Sequence, residues 1–210
     1  RFGRKRPPPS AVNATSVEFF ARQFERQIAA ADYALNPFET WTLPHLAGHV
    51  LELGCGLGNL SLAAARAGHE VDALDACGQA VADLARRARA QGLPVRVRRS
   101  DLSRWRADRC WDSVAAIGLL MFFDCGDARR LLREIRGAVA PGGIAAVNVL
   151  IEGTTYMQMF DPQRHCLFPP AELRETFADW AILLDRVDEF PAPGQSVKRF
   201  ATVIARRPAS

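Results

Sequence analysis

From His49 onward the chain alternates between short apolar runs and stretches in which apolar residues recur every three or four positions. His49 to Leu53 predicts a buried strand, Asn59 to Ala67 a helix closed by Gly68, and Glu70 to Leu74 a second strand. Gln79 to Gln91 predicts a helix with Val81, Leu84, Ala85 and Ala88 on one face and Gly92 beyond its end, followed by a strand at Val95 to Arg99. Trp111 to Ile117 predicts a fourth strand. Ala128 to Val139 predicts a helix that turns Leu131, Leu132, Ile135 and Val139 inward and is stopped by Pro141, Gly142 and Gly143, and Ile144 to Leu150 predicts a fifth strand.

Ahead of this alternation, Val17, Phe19, Phe20, Phe24, Ile28, Ala31 and Leu35 recur at helical spacing, which predicts an amphipathic helix from Ser16 to Leu35 capped by Thr15 or Ser16. After Glu152 the rhythm changes to a loop rich in Pro and aromatics, a helix near Pro170 to Phe177, and two strands at Ala181 to Val187 and Val197 to Ala205. The turn-rich Pro191 to Gln195 between those strands predicts an antiparallel hairpin at a sheet edge. Strands too apolar to have one wet face, in succession with helices, predict an α/β fold: a doubly wound, mostly parallel sheet with helices on both faces. The expected organisation is a basic, Pro-rich tail at residues 1–15 and a single domain at 16–210, with a helical segment at 16–47 and a core at 48–207.

Composition narrows the function classes. A chain of 210 residues with 49% hydrophobic and 24% charged residues suits one folded core, and its apolar runs stop near ten residues (114–123), short of the roughly 18 that a membrane helix needs. The net charge of +4 is local. Of 27 basic residues, four (Arg1, Arg4, Lys5, Arg6) stand in the first ten positions, leaving 23 to balance 23 acidic ones. A neutral body argues against nucleic acid as a partner and for a small-molecule substrate. Cys55, Cys77, Cys110, Cys125 and Cys166 are scattered and odd in number, so neither a disulfide framework nor a metal site is expected, and a reducing cytoplasm suits them. His45, His49, His69 and His165 form no metal-binding spacing. No apolar export signal follows the basic residues.

Chemistry is concentrated after the first strand, in Glu52-Leu53-Gly54-Cys55-Gly56-Leu57-Gly58-Asn59. Ligands of doubly wound sheets sit at the carboxyl ends of the strands, where glycines let the backbone approach them closely. The dinucleotide fingerprint wants its third glycine at the sixth position, but that position counted from Gly54 is Asn59, which speaks against a nicotinamide enzyme. An acidic residue followed by three alternate glycines resembles the cofactor loop of the class I S-adenosylmethionine-dependent methyltransferases, a Rossmann-like family. The resemblance implies cofactor contacts for Glu52, Leu53, Gly54, Cys55, Gly56, Gly58 and Asn59. It also implies them for Asp75 and Ala76 after the second strand, for Asp101 and Leu102 after the third, and for Gly118 after the fourth. Independently of any family, an ionised, acceptor-only carboxylate suits the two donors of a ribose diol, and Asp75 stands at its strand's end, whereas Asp72 lies inside the strand.

Further stretches are similar to the tellurite-resistance methyltransferases: Gly118-Leu119-Leu120-Met121-Phe122-Phe123, Phe168-Pro169 with Glu172-Leu173-Arg174, and Lys198-Arg199-Phe200-Ala201-Thr202. The His-Arg pair of that subfamily is absent, its place being taken by Phe190, Pro191 and Ala192. The resemblance implies in-line methyl transfer from S-adenosylmethionine to a thiol or reduced chalcogen, with S-adenosylhomocysteine as product, in a monomer or homodimer. A small oxygen or nitrogen acceptor, or a non-catalytic cofactor-binding protein, stays open. Acceptor contacts are expected among Tyr33, Leu119, Met121, Tyr156, Met157, Met159, Phe160 and His165, with Tyr156 and His165 the candidates for catalytic contact. Cys55 is not expected to act as a nucleophile.

Overall fold

The computed structural model describes residues 14–209, so nearly all of the basic tail lies outside the described residues. Five parallel strands alternate with helices: β1 (His49–Leu53), α3 (Asn59–Arg66), β2 (Glu70–Asp75), α4 (Gly78–Ala90), β3 (Val95–Arg99), β4 (Trp111–Ile117), α5 (Cys125–Ala138) and β5 (Val139–Leu150). Two helices precede them, α1 (Ala14–Ala29) and α2 (Pro37–Thr42), and α6 (Glu172–Thr176), β6 (Ala181–Ala192) and β7 (Ser196–Arg206) follow. The strand order is β3-β2-β1-β4-β5-β7-β6, with β7 antiparallel to both β5 and β6. The chain reverses direction across the sheet between β1 and β4, the place where such sheets hold ligands.

Alternation along the strands splits the core into two layers. Val50, Ala115, Ile144 and Ala146 turn to the face covered by Leu60, Leu62, Leu84 and Ala88 of α3 and α4. Leu51, Leu53, Val114, Ala116, Val147 and Val149 turn to the other, covered by Leu131, Leu132 and Ile135 of α5 and by Leu173 and Phe177 around α6. Both faces are dry, which is why these strands read as continuous apolar runs. Among the described residues no helix is long and apolar enough to cross a membrane.

The structure corrects three expectations. The first helix begins at Ala14, ahead of both expected caps, and ends at Ala29; Leu35 lies outside it. A separate helix then starts at Pro37, where the Asn36 side chain accepts from the Glu39 N–H at 2.9 Å and Glu39 accepts from the Asn36 N–H at 2.8 Å, a reciprocal cap. The Ser16 hydroxyl serves a tertiary contact, donating to the Met159 carbonyl at 3.3 Å. Finally, Cys125 at the start of α5 and Cys166 in the loop after β5 form a disulfide, where none was expected. Sequence separation concealed the pair, since Cys166 lies 41 positions beyond Cys125, where the loop after β5 returns to α5.

Asp72, the competitor of Asp75, is occupied elsewhere. It accepts from the Trp111 indole N–H at 2.8 Å, from Arg109, and pairs with His49 at 3.1 Å, tying β2 to β4 beneath the sheet. Burial alone would raise its pKa, but the Trp111 and Arg109 donors, with the electrostatic pull of the His49 ring and the Arg109 guanidinium, hold it below the ordinary aspartate value. Replacing Asp72 by Ala strands the buried Trp111 N–H. The expected loss is about 1–3 kcal/mol of stability, read from urea unfolding.

Candidate functional site

The turn after β1 is shaped by three glycines, each with φ between 51 and 71°. A Cβ on Gly54 would fall 2.7 Å from the Leu119 side chain, on Gly56 2.9 Å from the Phe24 ring, and on Gly58 2.3 Å from Leu84. No L side chain fits that path. The Gly54 and Cys55 N–H groups both donate to the Leu74 carbonyl, at 2.8 and 3.1 Å, so the turn leans across the end of β2. From α4, Arg87 donates to the Leu57 carbonyl and is fixed by Asp83 at 2.7 Å, while the Tyr33 ring lies 4.0 Å from its guanidinium.

Asp75 closes the same corner. Its two carboxylate oxygens accept from the Gly56 N–H at 2.8 Å and the Cys77 N–H at 2.7 Å, so each oxygen keeps lone pairs for a ligand. Burial raises its pKa, and the N–H groups of Cys77, Gly56 and Ala76 pull it back. Beneath the turn, Glu52 is fully enclosed, with its pKa pushed up to about 8 by burial first and by the charge of Glu39 second; the Ser61 hydroxyl donates to it and opposes the rise. Cys55 is buried between the two acids, and burial together with Glu52 and Asp75 raises its thiol well above the ordinary value, which leaves a poor nucleophile.

Above this corner opens a cavity of about 680 Å³. Of the residues expected to contact the cofactor, Gly54, Gly56, Asp75, Ala76, Leu102 and Gly118 line it. Glu52, Leu53 and Cys55 are buried behind its wall, and Gly58 packs on Leu84. Asn59 donates to the Ala34 carbonyl at 3.2 Å, and Asp101 caps the turn that follows it, accepting from the Ser103 N–H at 3.0 Å. The other end is apolar: Met121, Phe122, Tyr156 and Met159 line it with Phe20 of α1 and Phe200 of β7, while Leu119 packs on Gly54 at the glycine end. Of the expected acceptor contacts, Leu119, Met121, Tyr156 and Met159 all line the cavity, the last three at this end. Phe160 packs behind them, and His165 stacks on Phe160 at 5.2 Å with Nδ1 3.1 Å from the Asp161 carbonyl. Sequence reasoning missed Phe20, Phe24, Phe38, Lys198 and Phe200 at this cavity. Three phenylalanines within six positions of α1 were the available signal, being more than one helix face needs for packing.

A protein family described as a methyltransferase domain matches residues 50–143. Hemagglutinin 1 of Eikenella corrodens is 27% identical over 168 residues, covering 75% of this chain and 54% of its own, so the chain spans about half the length of that curated relative. Among solved structures, TehB from Haemophilus influenzae superimposes with a TM-score of 0.73 at 18% identity, over 91% of this chain and 67% of that one. The Burkholderia thailandensis 1,6-didemethyltoxoflavin-N1-methyltransferase, solved with its substrate and S-adenosylhomocysteine, gives 0.63 at 19% identity over 97% and 93%. The DhpI–SAH complex gives 0.63 at 22% over 96% and 100%. At these identities the structural likeness is one of fold.

The buried acid gives a pH signature. An unfolded glutamate ionises near 4.5, whereas Glu52 ionises near 8 when folded; between those values the native state holds a proton that the unfolded state has lost. Stability therefore falls as pH rises through that window. Thermal unfolding followed by circular dichroism should show the wild type losing several degrees from pH 5 to pH 8 relative to Glu52→Gln, whose amide cannot ionise.

Proposed function

We propose that the chain is a class I, S-adenosylmethionine-dependent methyltransferase whose cavity methylates a soft small-molecule acceptor, a thiol or a reduced chalcogen, by in-line displacement; the match to a methyltransferase domain over residues 50–143 supports the reading. The observation that carries the reading is the division of the cavity: Asp75 and the glycines at one end, thioethers and most of the aromatic rings at the other. A ligand with a diol and a positive charge suits the first end. Gly54 and Gly56 leave room for its close approach, the free lone pairs of Asp75 accept from the diol, Leu102 offers an apolar surface for a base, and Glu52 adds negative potential from below as it ionises.

When bound, S-adenosylmethionine supplies a methyl group activated by a sulfonium. The remaining task of the protein is to align a nucleophile about 3 Å from that carbon and to exclude water. Met121, Met159, Phe122 and Tyr156 provide a polarizable wall suited to a soft nucleophile, while the carboxylates that could act as a base, Asp75 and Glu52, lie at the opposite end. A thiol or hydrogen chalcogenide ionises near neutral pH and needs no such base; an alcohol would. Tyr156 is a positioning contact in this reading, and His165, turned onto Phe160, is not in reach.

The discriminating measurement is methyl release by mass spectrometry over thiol, selenium and tellurium acceptors beside phenol and amine controls. Turnover confined to the phenol or amine would overturn the proposed acceptor class. Asp75→Ala is expected to weaken S-adenosylhomocysteine binding about 10-fold to 100-fold by calorimetry, the loss of one charge-assisted hydrogen-bonding group; unchanged affinity removes Asp75 from the cofactor site.

A further inference from the structure

Two cationic side chains line the cavity, Arg26 of α1 and Lys198 of β7, and soft methyl transfer has no use for the second. Lys198 lines the apolar end beside Phe200. Strand alternation turns Arg199 to the opposite face, where it meets the Glu152 carbonyl at 3.1 Å and Glu189 at 3.6 Å. The Lys198 ammonium instead stands 4.6 Å from the centre of the Tyr156 ring, and Tyr156 is itself held to β7 through its N–H to the Val197 carbonyl at 3.2 Å. Across the hairpin the partner of Lys198 is Phe190. Among the described residues no carboxylate pairs with it.

The location separates this cation from the cofactor's sugar. From β2, which carries Asp75, the sheet order passes through β1, β4 and β5 before β7, four interstrand steps or about 19 Å. An ammonium half-buried among aromatic rings is unfavourable unless an anion joins it, and a cation–π contact replaces only part of its lost hydration. Burial lowers the Lys198 pKa, with no neighbouring acid to offset it.

Resting on the methyltransferase reading, we propose that Lys198 determines acceptor specificity: it selects an organic anion whose apolar body lies on Phe20, Phe122 and Met159 and whose carboxylate docks on the ammonium. The soft nucleophilic atom then projects along the aromatic wall toward Gly118 and Leu119, at the cofactor end. The carboxylate anchors one end of the acceptor and thereby limits the angles at which the nucleophile meets the methyl carbon.

Binding of an unreactive probe tests this without turnover. The protein is first titrated with S-adenosylhomocysteine; absence of uptake defeats the methyltransferase reading and this proposal with it. Protein saturated with S-adenosylhomocysteine is then titrated with 2-naphthoate and with the neutral 2-naphthamide. Naphthoate should bind at least about 10-fold more tightly, Lys198→Met should bring it to the level of the amide, and Lys198→Arg should keep most of the preference. S-adenosylhomocysteine affinity should be the same in all three proteins, which also reports an intact fold. If S-adenosylhomocysteine binds normally but naphthoate fails to bind, binds no better than the amide, or keeps its preference in Lys198→Met, the proposal fails while the methyltransferase reading stands. Weakened S-adenosylhomocysteine binding in Lys198→Met would assign the ammonium to the cofactor's own carboxylate and likewise overturn it.

Discussion

The geometry of the site depends on one doubly engaged carboxylate. Asp75 takes an N–H from the glycine turn on one oxygen and an N–H from the start of α4 on the other, so two loops from neighbouring strands are fixed to a single side chain. The Leu74 carbonyl accepts two further N–H groups from the turn, and Arg87 braces it from the side. With these contacts the backbone at Gly56 can neither swing outward nor carry a Cβ, because the Phe24 ring lies on it. The corner is therefore formed by the fold itself, which lowers the ordering cost that a ligand must meet.

Polarity is distributed along the cavity with the same economy. Glu52, Asp75 and Glu39 sit close enough for their charges to raise the Glu52 pKa, an arrangement unfavourable in itself and relieved by a positive ligand. Acidic strain at one end and an aromatic, thioether-lined wall at the other give the cavity a direction. The wall is built from four separate parts of the chain, α1, the turn after β4, the loop after β5 and β7, and the Cys125–Cys166 disulfide ties the second to the third.

Much of this was legible in the residue pattern because the relevant signals are local. Each parallel strand is buried on both faces, and each helix has a stripe of apolar residues, so the alternation and the C-terminal hairpin could be read directly. The glycine turn and Asp75 follow strand ends by fixed offsets. What escaped depends on contacts distant in sequence: the disulfide, the seating of Phe20 and Phe24 over the glycine turn, and the turning of Lys198 into the cavity. Asp101 and Asn59 are satisfied by neighbours, Ser103 and the Ala34 carbonyl, which a motif cannot reveal. The short helix after Asn36 was readable, since Asn-Pro followed by Glu39 is a cap in sequence, but helical spacing that continued to Leu35 concealed the break after Ala29.

Among the described residues the sheet ends at β6, a 12-residue strand with one side unpaired. A row of free peptide groups of that length invites another chain to add to it. Here Arg186 grips Asp188 at 2.6 Å and lies over Trp41 at 4.0 Å, and Pro191 contributes no N–H. A strand approaching this border would have to strip water from the ion pair and leave a carbonyl unanswered opposite the proline. The protein thus guards its margin against aggregation by self-templating, although the half-exposed Val187 stands at the middle of it.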